Sequence, residues 1–266
     1  MHQPRILTGR LLCTVLSLCC ASLAFAQRQL SVQWEELTAP DFIKAIHQAQ
    51  GVCLLPFGIL EKHGPHLPLG TDLINVRYAS LHAAQQEYAV VFPEYYAGQI
   101  FEAQHEPGTI AYSLSLQPDL LQETAKEMAR NGCKKIVIVN GHGGNSPAQT
   151  LSQEWMTDHP GIKVKFHNWY NAPKTWAKVK QIDPVASHAS WMENFTWTRL
   201  PGVVAPSQQK PMIDYEKMRT VDAKGVRALL GDGNFGGYYE RSDEEMDALW
   251  AVAVEETRTV IDSNWA

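Results

Sequence analysis

The stretch Lys134-Lys-Ile-Val-Ile-Val-Asn140 constrains the fold more than any other part of the chain. Its four consecutive β-branched residues offer no polar face, so a strand formed here must be covered on both sides. Residues 52–56 read as a further buried strand and 164–169 as another strand, and 90–93 adds a short fourth one. Between these runs the apolar spacing becomes helical over 73–88, and over 118–131 with closure at Gly132. A third helix is expected from about Ser146-Pro147 to His159, where Pro160 stops it. Another is expected over 190–199. A final helix runs from Ser242 to about Ile261, with Ser242 and Glu245 at capping-box spacing. This alternation predicts an α/β fold, a three-layer α/β/α sandwich with a mostly parallel sheet. Ligands in such folds bind beyond the carboxyl ends of the strands.

The first 26 residues are set apart from that domain. Arg5 and Arg10 form a basic start, residues 11–18 a short apolar core, and Ala24-Phe-Ala26 a small-x-small cleavage pattern. Together they read as a secretory signal peptide, too short to be a membrane span, and predict export to a bacterial periplasm. A single domain over 27–266 is the expectation. Loss of Arg5 and Arg10 from 23 basic residues would leave 21 against 28 acidic ones, a net charge of −7. No basic run offsets it, which argues against a nucleic-acid partner. Only Cys53 and Cys133 lie beyond the leader. Both open apolar runs, and the reading favours two buried free thiols over a disulfide.

Chemistry concentrates in Glu61-Lys-His63-Gly-Pro-His66-Leu-Pro-Leu-Gly-Thr-Asp72, directly after the first strand. Glu61, His63 and Asp72 supply two carboxylates and an imidazole, a set suited to zinc, manganese or iron. The competing reading makes Asp72 a helix cap and His66 a plain loop residue. Asn140-Gly-His142-Gly-Gly-Asn145 places a further imidazole after the second long strand, among glycines that permit close backbone approach. His188 and Glu193 follow. His188 is a candidate general acid or base, and Glu193 either a metal ligand or the partner that orients His188. Trp169, Tyr170, Trp176, Trp191 and Trp197 crowd this region, and one or two of them are candidates to wall a pocket. His105 is a candidate for the same rim or for a turn.

These motifs, with Pro56-Phe-Gly58, Pro107-Gly-Thr109 and a weaker likeness at 231–237, resemble the creatininase family of creatinine amidohydrolase-like metalloenzymes. The resemblance implies an α/β/α fold, commonly a homohexamer, with two divalent ions (zinc, manganese or iron) at the strand ends. It implies hydrolysis of carbon–nitrogen bonds in small amides, cyclic amides and formamides among them, and occasionally in peptides. Carried over by position, Glu61, His63, Asp72 and His142 match metal ligands, Asp72 as the bridge, and His188 matches a residue that transfers protons. The family's namesake has a glutamate ligand where this chain has Gly144. Members with the glycine pattern recruit the downstream glutamate instead, which makes Glu193 the fifth ligand and argues against creatinine as substrate. The usual Glu-Thr-Ser is here Glu193-Asn-Phe195, which with the expected export keeps a non-catalytic binding protein as an alternative, and the periplasmic address keeps a short-peptide metallopeptidase as another.

Overall fold

The computed structural model describes residues 29–263 and 265. The leader assigned to residues 1–26 lies outside them. Four strands, β1 (Val52–Phe57), β2 (Val90–Val91), β3 (Lys135–Asn140) and β4 (Lys163–Asn168), form one sheet in the order β2-β1-β3-β4. Every pairing is parallel, with Leu54 opposite Val137 and Phe57 opposite Asn140. Among the described residues the α-helices are α1 (Ala39–Gln48), α2 (Thr71–Gln86), α3 (Leu116–Arg130), α4 (Pro147–Asp158), α5 (Pro173–Ile182), α6 (Tyr215–Met218), α7 (Ala223–Leu230) and α8 (Asp243–Asp262). Among the described residues no helix is long and apolar enough to cross a membrane.

Side chains alternate across each strand, and this sorts the two cores. Leu54, Val137 and Val139 face α2 and α8, meeting Ala79, Ala83, Met246 and Leu249. Leu55, Phe57, Ile136 and Ile138 face the opposite layer, meeting Ala45 of α1, Leu121 and Met128 of α3, and Ala148 and Trp155 of α4. The expected three-layer α/β/α sandwich with a parallel sheet is therefore present. Ser242 caps α8 through the reciprocal box with Glu245.

Three expectations change. The helix over 190–199 is replaced by two 3-10 turns, Trp191–Glu193 and Thr196–Thr198. Polar side chains compete for the backbone there: Thr198 Oγ1 accepts from Phe195 N–H, and Asn194 Nδ2 donates to the Tyr239 carbonyl. The strand over 90–93 shrinks to two residues, because Pro93 cannot donate to a ladder. The two cysteines are not free thiols. Gly132 takes a positive φ of 104° and turns the chain from α3 toward β3, which brings Cys133 beside Cys53 on one face. The two form a disulfide with Cα atoms 5.7 Å apart.

Candidate metal centre

The predicted residues converge beyond the carboxyl ends of β1 and β3. After β1 the chain doubles back on α2 so tightly that a Cβ at Gly58 would lie 2.9 Å from Leu73 N. The returning loop is pinned on both sides. Glu61 N–H donates to Leu69 O, and Lys62 N–H donates to Thr109 Oγ1 at 3.2 Å. Gly108 holds a φ of 82°, and a Cβ there would strike Leu69 at 2.3 Å. The Pro107-Gly-Thr109 motif thus works by clamping the loop that carries Glu61 and His63. After β3, Asn140 Nδ2 donates to His142 O and its Oδ1 accepts from His142 N–H and from Asn145 Nδ2. These bonds fix the glycine turn and aim His142 inward.

Glu61, His63, Asp72, His142 and Glu193 are all buried. Asp72 lies in the first turn of α2 but makes no capping bond. Its Oδ1 lies 2.9 Å from His63 Nε2 and its Oδ2 3.1 Å from His142 Nδ1. Glu61 Oε1 is 2.9 Å from the same His142 nitrogen, and Glu193 Oε2 is 3.7 Å from His63 Nε2. Three compact groups result: Glu61, Asp72 and His142; His63, Asp72 and Glu193; and Glu61, His63 and His188. Asp72 belongs to the first two. His66, though buried, belongs to none; its Nε2 is tied to the Tyr239 carbonyl at 3.0 Å.

The histidines share a second layer of support. His63 Nδ1 meets Glu61 O at 3.1 Å, His142 Nε2 meets Gln99 O at 3.0 Å, and His188 Nε2 meets Lys62 O at 3.1 Å. A carbonyl only accepts, so each of these nitrogens carries the proton. The opposite nitrogens, Nε2 of His63 and Nδ1 of His142 and His188, are left toward the carboxylates, as in metal sites. Glu193 is held by the Ala189 amide, which donates to its Oε2 at 2.6 Å. Ala189 has a φ of 56°, a left-handed conformation costly for a residue with a Cβ.

Electrostatics favour a cation at this point. Burial opposes charge on His63, yet Asp72 and the other carboxylates push its pKa up to about 10. Burial likewise opposes charge on His142, and Glu61 and Asp72 outweigh it and raise the pKa. For Asp72 the burial penalty is overcome by His63 and His142, and the carboxyl is held below its usual range. Burial, reinforced by Asp72, raises Glu193. Glu61 Oε2 is buried with no hydrogen-bond partner, and Glu61 Oε1 and Asp72 Oδ2 have only ion-pair approaches to histidine nitrogens, which last while those nitrogens stay protonated. Orphaned carboxylate oxygens are costly, and this mixed oxygen–nitrogen set fits divalent zinc, manganese or iron.

Gly144 leaves no room for a side chain as this chain packs its glycine turn. A Cβ would lie 2.2 Å from Gln99 O and 2.5 Å from His142 Nε2, on the bond that supports His142.

A cavity of about 400 Å³ opens onto the carboxylates. Tyr170 and Trp176 line it, whereas Trp169 and Trp191 are core residues and Trp197 stacks on Phe195. His188, partly exposed, stands on its wall with Phe235 packed against its ring at 4.9 Å. His105 is not among the lining residues; its carbonyl accepts from Arg227. Sequence reasoning missed Glu102, Met192, Tyr215 and Phe235 as lining residues. The glycines at 231–237 were the available signal for Phe235, since Gly233 lies against the metal loop, 3.2 Å from Gly64 N on addition of a Cβ.

The family described as Creatininase, creatinine amidohydrolase, matches residues 35–261. Creatinine amidohydrolase of Pseudomonas putida is 28% identical over 116 residues, 42% of this chain and 45% of that protein. The mycofactocin precursor peptide peptidase of Mycolicibacterium smegmatis is 34% identical over 111 residues, 40% of this chain and 44% of that protein. The chain thus spans less than half the length of these relatives in the matched regions. The solved structure described as creatininase Mn has the same fold, with a TM-score of 0.73 at 21% identity, covering 87% of this chain and 97% of that one.

Proposed function

The chain belongs to the creatininase family, and from that premise we propose that it is a metal-dependent amidohydrolase cleaving a carbon–nitrogen amide bond, peptide bonds included, at a centre of two divalent ions. The observation that carries this reading is Asp72, whose two oxygens face two separate ligand groups. In that arrangement Glu61 and His142 would hold one ion and His63 and Glu193 the other, with Asp72 offering an oxygen to each. Glu193 reads as a ligand rather than the orienting partner of His188, because its Oε2 is held by the Ala189 amide and lies toward His63. The named relatives act on creatinine and on a precursor peptide, and one solved neighbour is described with Mn. Divalent ions held here would activate a water for attack and stabilise charge on the amide oxygen.

The chain's own residues supply the remaining parts. Lys62 O holds the proton on His188 Nε2, so Nδ1 is the atom free to take a proton and deliver it to the leaving amine. The Tyr170 hydroxyl stays protonated, because burial and the surrounding carboxylates raise its pKa. From the cavity wall it can therefore donate a hydrogen bond to bound substrate.

Export and self-association belong to the same reading. The leader pattern and the Cys53–Cys133 disulfide support a periplasmic address, since disulfides persist in oxidising compartments. Exposed Tyr96, Phe101, Ile110 and Leu114 support a homo-oligomer, a hexamer by family resemblance. The test is metal content by mass spectrometry on gently purified protein, with amide hydrolysis scored in parallel and a folded His142→Ala variant as control. About two ions per chain, with hydrolysis lost in the variant, is the expected result. Protein that takes up no metal after reconstitution would overturn the proposal.

A further inference from the structure

Resting on the amidohydrolase reading, the charge distribution around the cavity speaks to the substrate. Among the described residues that line it there is no lysine or arginine. Of the nearby cations, Lys180 Nζ stands 5.4 Å from the ring centroid of the lining Trp176, and three others are committed elsewhere. Lys62 Nζ binds Glu106 Oε2 at 3.0 Å and Gly231 O at 3.3 Å. Arg227 donates to His105 O at 2.8 Å and lies 3.7 Å from Glu106 Oε2. Lys210 is caged by Asp232 and the carbonyls of Leu230 and Asn234. Each of these three ammonium or guanidinium groups holds a loop together and is not free to receive a substrate anion.

Glu102, in contrast, is a lining carboxylate outside the candidate metal groups, partly exposed and in none of the ion pairs among the described residues. Trp176, Tyr215 and Phe235 add flat faces to the same wall. Aromatic faces receive rings and cations; an unpaired carboxylate attracts positive charge and repels negative. We infer that the cavity selects amides whose non-reacting body is a flat or ring-bearing group of neutral or positive charge, with Glu102 as the residue that sets the charge preference. Amides carrying phosphate, sulfonate or carboxylate on that body are disfavoured.

The test uses three formanilides that share one scissile bond and differ only in the para substituent: aminomethyl, hydrogen and sulfonate. Sulfonate is chosen because it is a weak metal ligand. Hydrolysis adds water across the C–N bond, giving formate and the corresponding aniline, which is read optically. With metal-loaded full-length protein, kcat/KM should favour the aminomethyl over the sulfonate compound by about fivefold or more, the scale of a partly exposed ion pair. That ratio should fall in Glu102→Gln, reverse in Glu102→Lys, and shrink with added salt in the wild type.

Binding of the same compounds by calorimetry separates the two readings. Cation-preferring binding without hydrolysis would sink the amidohydrolase assignment and keep this inference. Hydrolysis with no charge preference, or no binding of any of the three, would overturn this inference alone. A sulfonate preference would also overturn it, and would assign the backbone amides of the glycine turn after β3 to anion binding. The wild-type order and its salt dependence decide the matter even if a Glu102 variant fails to fold.

Discussion

Asp72, in the first turn of α2, faces His142 across 3.1 Å between Oδ2 and Nδ1, joining the segments that follow β1 and β3. Its other oxygen reaches His63. Replacing one oxygen by an amide nitrogen should therefore damage both halves of the centre at once. Asp72→Asn is expected to retain at most one ion per chain and to lose more than about 100-fold in hydrolysis, beyond the 10–100-fold typical of outer-shell partners. A variant that still binds two ions tightly would show that Asp72 does not bridge.

Gly144→Ala tests the support beneath His142. The added methyl would meet Gln99 O and His142 Nε2 at distances no packing tolerates. Relief requires moving the 98–99 segment or turning His142 away, at a cost of about 1–3 kcal/mol in stability. Metal content should fall together with the melting temperature. A fully stable, fully metallated variant would show that the turn relaxes freely.

Metal loading should release protons. In the metal-free protein His63 holds a proton up to about pH 10, and His142 is raised as well. Ligands must be deprotonated to bind, so at pH 8 calorimetric enthalpies should depend on buffer ionisation, and apparent affinity should rise with pH. The linked effect on stability has the opposite sense. His63 is raised above its ordinary value of 6.5, so its contribution to the metal-free fold is complete below that pH and is lost as pH climbs through about 10. Buffer-independent enthalpies would refute the proton count.

Reduction of the Cys53–Cys133 bond opens a loop spanning 80 residues of sequence. Constraining the unfolded chain in this way is worth about 2–4 kcal/mol. Urea denaturation with and without reductant should show a shift of that size, absent in a Cys53→Ser/Cys133→Ser double variant. Identical midpoints under both conditions would mean that the bridge does not form in solution.

Much of this was legible from local pattern. The β-branched run at 136–139 demanded cover on both faces, and the sheet places β3 between β1 and β4 with helices on either side. Glu61, His63, Asp72 and His142 stood in loops after strands, where a parallel sheet collects its ligands. The 190–199 segment was misread as a helix because its apolar spacing outweighs, in one dimension, the hydrogen bonds that Asn194 and Thr198 make in three.

Sequence by itself determined the layer architecture, the residue types of the centre and the family to which they belong, because hydrophobic period and motif spacing are local properties of the chain. Tertiary structure decided the rest. That Asp72 faces two candidate ligand groups, that Glu193 turns toward His63, that Cys53 meets Cys133, and that Glu102 lines a cavity whose described lining has no lysine or arginine all depend on contacts between segments far apart in the chain. Such contacts are set by how the strands register and how loops close over their ends, and no periodicity along the chain encodes them.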